Sequence, residues 1–189
     1  MMGRVSSANA RPFRYTPVAI ALHWLSALLI VCGFTLGLSM TGLEFSPAKF
    51  RWYAIHKWIG ITVFLLACLR LLWRSAHSAP PPVPGARWQM RAAAATHGLL
   101  YALMLVIPVS GWIYSSATGV QVVYLGLLPL PDLVDKDRSA AAALRIAHIG
   151  LNYSMAGLVF VHVGAALWHR YVRHDAVLAR MFPADRAGA

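Results

Sequence analysis

Four stretches of this chain are too long and too apolar to belong to a water-soluble domain, and everything else must be read inside that constraint. Residues 15–43 contain no Asp, Glu, Lys or Arg, and about 17–40 can span a bilayer as a helix. A second apolar stretch covers 54–73, with Lys57 and Arg70 near its ends. Its uncharged centre, 58–69, is short, so it crosses only if both cations reach toward the interfaces or meet buried anions. The third span covers 92–116 and the fourth 144–171, the latter uncharged from 146 to 169. Only 12% of the 189 residues are charged and 59% are hydrophobic, whereas soluble domains carry about 25% charged residues. The expected fold is all-α, an integral membrane four-helix bundle over 17–171, with a segment 1–16 before it and a tail 172–189 after it.

The connections give direction. Pro80-Pro81-Pro82-Val83-Pro84-Gly85 makes a stiff loop between the second and third spans. Residues 118–143 join the third and fourth, with Pro129, Pro131 and the acids Asp132, Asp135 and Asp137. Their 120–130 portion is too apolar for a free loop and is expected over the mouth of the bundle or along the membrane interface. The N-terminal segment, the proline-rich loop and the tail, with their flanking helix ends, hold 11 Lys/Arg and two acids; the other side holds six and four. The positive-inside rule then puts both termini in the cytoplasm. The first apolar run is too long for a signal-peptide core and lacks a small-residue cleavage site, so that helix is read as retained. The net charge of +11 follows this flanking pattern, and no nucleic-acid role is expected. Cys32 and Cys68 fall inside spans and read as small buried apolar residues. No CxxC or CxxCH occurs, which excludes covalent attachment of a c-type haem.

An ionisable side chain inside a membrane helix is costly unless partnered, so the histidines demand an account. His148 and His162 share one helix, 14 residues apart. Their rings leave the same face about 21 Å apart along the axis. His23 lies about two turns into the first helix and His56 opens the second, which runs the other way. The two therefore lie at opposite depths and can complete two His–His pairs. Neutral imidazole suits haem iron without adding charge to a low-dielectric site. Two imidazoles fill both axial positions, so such a centre passes electrons rather than activating oxygen. The layout predicts two stacked b-type haems, with His56 and His148 near helix starts and close to the periplasmic water.

Other residues can serve those centres. Gly60, Gly150, Gly157 and Gly164 adjoin the histidines and would let a flat macrocycle approach, though helix packing accounts for such glycines equally well. The Gly33–Gly37 GxxxG carries the same two readings, and Pro108 is expected to bend the third helix. Arg70, one turn inside its helix, matches a haem propionate or snorkels to the interface. His97 opens the third helix and either competes with His23 or His162 as a ligand or hydrogen-bonds to a haem or helix end. His169, beside Trp168 and Arg170 and two turns past His162, suits a quinone headgroup or a plain interfacial anchor. His77 and His174 read as solvated.

With these residues in place, the chain resembles the bacterial cytochrome b561 family of small di-haem inner-membrane cytochromes. The matching stretches are Ile20-Ala21-Leu22-His23-Trp24, Ile55-His56-Lys57-Trp58-Ile59-Gly60, Ala147-His148-Ile149-Gly150 and the run from His162 to Leu167-Trp168-His169-Arg170-Tyr171. The resemblance covers about residues 12–183. It implies that His23 and His162 bind a cytoplasmic haem and that His56 and His148 bind a periplasmic one. It also implies electron transfer to ubiquinone in a bacterial inner membrane, and at least one member of the family resembles a superoxide oxidase.

Three functions compete. One is an oxidoreductase taking electrons from superoxide and giving them to quinone. Another is a haem relay serving a separate protein donor, as in hydrogenase or formate dehydrogenase cytochrome subunits. The third, a metal or proton transporter, is disfavoured because the spans lack the acids of a proton relay and the ligands preferred by soft metals. Lys49, Arg51, Lys57 and Arg145 lie near His56 or His148 in sequence, against the charge bias of an outer face. They would steer a small anion. Alternatively they neutralise propionates, for which Lys57 and Arg145 are nearest in sequence. A docking protein would need an exposed patch, part of which Asp132, Asp135 and Asp137 can supply.

Overall fold

Two of the four long helices begin with proline at the first helical position, preceded by a hydroxyl side chain that caps it. Thr16 accepts from the Ala19 amide to start α1 (Pro17–Thr41), and Ser46 accepts from the Lys49 amide to start α2 (Pro47–Ala76). Helix α3 runs Arg87–Thr118, and Asp137 caps α4 (Arg138–Tyr171) through the amides of Ser139 and Ala140. This computed structural model describes residues 14–183, and a short 3-10 turn, Leu178–Met181, lies near the C-terminal limit of that range.

Three helices begin earlier than their apolar cores do: α2 at Pro47 rather than near 54, α3 at Arg87 rather than near 92, and α4 at Arg138 rather than near 144. The capping residues lie outside the uncharged stretches, so hydropathy alone places the starts too late. At 30 residues, α2 is about 45 Å long, which exceeds the hydrocarbon thickness of about 30 Å. His56 and His148 are consequently not at helix mouths. Each lies about 14–15 Å inside its helix. His97, likewise, is well inside α3.

The helices pack in chain order, α1 on α2, α2 on α3 and α3 on α4. Helices α1 and α4 meet mainly through rings, Phe34 against Tyr153 and His23 against His162. A small centre of Val63, Ala67, Met104 and Met155 is buried. Most large apolar side chains face outward, Phe160 with 80% of its surface exposed, as a bundle solvated by lipid requires. Cys32 belongs to that outward face and is exposed rather than buried. In a membrane an apolar residue type does not distinguish inside from outside.

The apolar connection between α3 and α4 folds as a hairpin, β1 (Val123–Tyr124) against β2 (Leu128–Pro129). Leu125 (φ 54) and Gly126 (φ 73) turn it. It hangs on α2, where Trp58 Nε1 donates to the Val123 carbonyl at 2.7 Å and the Thr62 and Tyr124 hydroxyls lie 3.0 Å apart. The hairpin packs against α2 between Trp58 and Thr62 and marks the hairpin end of the bundle; the opposite one is the terminal end.

Gly119 closes α3 at φ 75, its amide reaching the carbonyls of Ser115 and Ser116. A Cβ there would sit 2.9 Å from the flexible Lys136 side chain, so the main cost of Gly119→Ala is the left-handed backbone, about 1–2 kcal/mol. The thermal midpoint of the detergent-solubilised variant should fall; an unchanged midpoint would contradict the strain.

Candidate functional site

At the hairpin end both imidazoles have Nδ1 engaged. His56 Nδ1 lies 3.0 Å from the Gly33 carbonyl, which can only accept, so this nitrogen carries the proton. His148 Nδ1 lies 2.9 Å from Ser110 Oγ. That hydroxyl donates its own hydrogen to the Ile107 carbonyl at 2.7 Å, so it accepts from His148. Each ring is thereby left with a bare lone pair on Nε2. The ring centroids are 6.3 Å apart at 85°. An imidazole nitrogen binds a first-row metal at about 2 Å, so two rings sharing one metal ion across from each other have centroids about 6 Å apart.

Glycines make room for these rings. A Cβ on Gly111 would fall 2.9 Å from His148 Cε1, and one on Gly37 would fall 3.2 Å from His56 Cε1. The Gly33–Gly37 pair thus seats an imidazole and brings α2 close. By contrast, a Cβ on Gly60, Gly150, Gly157 or Gly164 would meet nothing within 4 Å; Gly60 lines a cavity beside His56 and His148, whereas the other three are exposed on α4. The donor chemistry of the paired imidazoles and the open side of Gly60 fit a haem.

A cavity of about 380 Å³ adjoins His56 and His148, with Tyr53, Asn152 and the hairpin's Val122 in its wall. Of the four cations expected to steer a donor, Lys49 and Lys57 line it. Lys49 Nζ donates to the Leu43 carbonyl at 2.7 Å, and Lys57 Nζ reaches the Val120 carbonyl at 3.5 Å. Arg51 and Arg145 are exposed and stand outside the lining.

The terminal end is built differently. His23 and His162 have centroids 6.2 Å apart at 61°, and His97 approaches His162 to 5.3 Å. Arg70 does not snorkel. Its guanidinium lies over the Tyr101 ring at 5.1 Å, and Nη2 is 3.3 Å from His23 Nδ1. Guanidinium has no acceptor, so Nδ1 accepts and the His23 proton sits on Nε2. In that tautomer Nε2 has no lone pair to offer a metal. Ligation by His23 therefore requires Arg70 to take another partner.

His169 Nδ1 contacts Asp175 Oδ2 at 2.6 Å, and Arg173 Nε lies 3.6 Å from the same oxygen. Burial pushes the Asp175 carboxyl up, but the His169 hydrogen bond, the Val177 amide and the Arg173 charge outweigh it and hold the group below its ordinary range. Asp175, Ser110 and the Gly33 carbonyl went unseen in the sequence. Asp175 had a weak signal, standing six residues after His169; a backbone carbonyl has none.

A sequence profile described as prokaryotic cytochrome b561 matches residues 14–184. Cytochrome b561 homolog 2 of Escherichia coli K12 is 33% identical over 175 residues, covering 90% of this chain and 92% of that protein. Cytochrome b561 homolog 1 of the same strain is 29% identical, covering 90% and 97%. A protein of Yersinia pestis described as a probable superoxide oxidase, CybB, is 28% identical, covering 92% and 98%.

Because the folded Asp175 pKa lies below the unfolded value of about 3.9, its contribution is present above that value and lost as pH falls through the folded one. Asp175→Asn at neutral pH should expose residues 172–183 to limited proteolysis, as wild-type protein should only in acid. Equal resistance of the two at neutral pH would refute the tie.

Proposed function

Because this chain belongs to the prokaryotic cytochrome b561 family, multi-pass b-type cytochromes of the bacterial inner membrane that transfer electrons, we propose that it carries electrons from superoxide to ubiquinone through two bis-His haems. The strongest support is two imidazole pairs with centroids 6.3 and 6.2 Å apart at opposite ends of α4. In this reading the hairpin end faces the periplasm and both termini face the cytoplasm, following the basic flanks.

A haem at each pair would supply a one-electron carrier. His56 and His148 would hold the outer one, oriented by the Gly33 carbonyl and Ser110; His23 and His162 would hold the inner one. Arg70 would pair with a propionate, the anion that best offsets a buried guanidinium. Lys49 and Lys57, in the cavity wall, attract a small anion, while Arg51 and Arg145 add to the field from the surface. Two superoxide ions each lose one electron and leave as dioxygen; one ubiquinone gains two electrons and two protons and becomes quinol. His169, held by Asp175, is a proton-carrying side chain at the cytoplasmic end. The alternative, a relay for a protein donor, draws on exposed Asp132 and Asp135 beside the hairpin.

His56→Ala or His148→Ala should remove the outer haem and abolish reduction from the periplasmic side. His23→Ala or His162→Ala should leave the outer haem reducible but block quinone reduction. Haem-to-protein ratios and visible spectra decide this. Loss of both haems from every folded variant, or of none, would sink the assignment.

Replacing Lys49, Arg51 or Arg145 by Gln should slow the second-order reduction by superoxide, and the wild-type rate should fall as ionic strength rises. Lys49→Gln should act most strongly, since Lys49 alone of the three lines the cavity. A salt-independent rate in stopped flow would favour the protein-donor relay instead.

A further inference from the structure

The connection between α3 and α4 has the chemistry of a segment made for an apolar medium. Residues 119–131 carry no charge, and Gln121 and Tyr124 are their only polar side chains. Neither is free. Gln121 Nε2 donates to the Leu130 carbonyl at 3.2 Å, and the Tyr124 hydroxyl lies 3.0 Å from that of Thr62. At the turn, the amides of Gly126 and Leu127 donate to the carbonyls of Val123 and Tyr124 at 3.3 and 3.0 Å. The Leu130 amide donates to the Val122 carbonyl at 2.8 Å. The indoles of Trp58 and Trp112 donate to the Val123 and Pro131 carbonyls. The apolar side chains do the opposite and face out: Leu125, Leu127 and Leu128 are exposed, Leu127 with 85% of its surface.

We propose that the hairpin tip, residues 125–128, is a lipid-anchoring surface seated in the outer edge of the hydrocarbon on the hairpin side of the bilayer. The tip continues a face that lipid already covers. Trp58, Thr62, Leu65, Leu69 and Leu72 follow at intervals of three and four along one side of α2, and the three leucines are exposed. The hairpin hangs from the first two of these residues, and a Cβ on Gly126 would touch the Trp58 ring at 3.9 Å. The length of α2 sets the level. From Trp58 to the helix end at Ala76 is about 27 Å along the axis, close to the hydrocarbon thickness of about 30 Å. The turns before it, Pro47–Lys57, carry Lys49, Arg51 and Lys57 and stand about 15 Å above that boundary. Indoles favour such a boundary, and Trp58 and Trp112 both meet the connection there. Non-helical backbone facing lipid must find its hydrogen bonds within the protein or among the headgroups, which holds the hairpin at the edge rather than below it. His56, although well inside its helix, thereby lies near the membrane surface, because α2 stands proud of the lipid.

Thiol accessibility in lipid nanodiscs tests this on the full-length, haem-loaded chain carrying Cys32→Ser and Cys68→Ser. A cationic methanethiosulfonate, excluded from hydrocarbon, should modify Leu127→Cys at least about tenfold more slowly than Asp135→Cys or Arg51→Cys. Leu65→Cys, on the lipid face of α2, should be as slow as Leu127→Cys. A phospholipid with a photoreactive diazirine in its acyl chain should label residues 125–128 of the unaltered protein. Leu127→Cys reacting as fast as Asp135→Cys would overturn the anchor, and slow reaction at Arg51→Cys would overturn the bilayer level. Protection of Leu127→Cys without a lipid label would also overturn it, since protein would then be covering the tip. The lipid label needs no substitution, so it decides the matter even where a cysteine variant fails to hold haem.

Discussion

An imidazole placed in hydrocarbon has two nitrogens to satisfy and no water to do it. At the hairpin end the fold engages one nitrogen of each ring with protein and leaves the other for a partner. The Gly33 carbonyl and Ser110 take the Nδ1 protons of His56 and His148. Much of the local design follows from that need. Gly37 and Gly111 admit the rings, α1 supplies a main-chain acceptor, and α3, which bears neither ring, fixes the tautomer of His148. Pro108 lies in that same turn of α3. The Ile107 carbonyl in that turn takes the Ser110 hydrogen and so turns the hydroxyl oxygen into an acceptor.

The two ends are consequently not equivalent. One leaves the Nε2 lone pair of each ring free, while the other holds a guanidinium against the nitrogen that sets the tautomer of His23. A buried cation near a redox centre stabilises the reduced state, because the centre gains negative charge on reduction. Arg70 puts such a cation beside His23. His97, drawn to 5.3 Å from His162, adds a third imidazole to that end. A cluster of three donors there contrasts with a strict pair at the hairpin end.

The bundle and its histidines were legible because burying charge in lipid is expensive and the chain confines its charges accordingly. Depth was less legible. Helix starts are decided by caps such as Ser46 and Asp137, which stand outside the apolar runs and moved His56 and His148 inward by about two turns. The cations show how nearness in sequence misleads. Lys49 precedes His56 by seven residues and shares its face of α2; Arg51 precedes it by five and points well away. The hairpin escaped because two-residue strands leave no alternation to detect, and because Leu125 adopts a left-handed conformation that usually marks glycine or asparagine.

The connection that carries the hairpin lends Val120 and Val122 to the wall of the cavity beside His56 and His148, and Trp58 and Thr62 tether it to α2 without its adding to the four spans. Its length and side chains can drift without moving a single histidine. Selection on what enters the cavity and selection on conduction across the membrane then act on separable pieces of the chain. A lineage could rewrite about a dozen residues there while the four spans and their histidines stayed as they were.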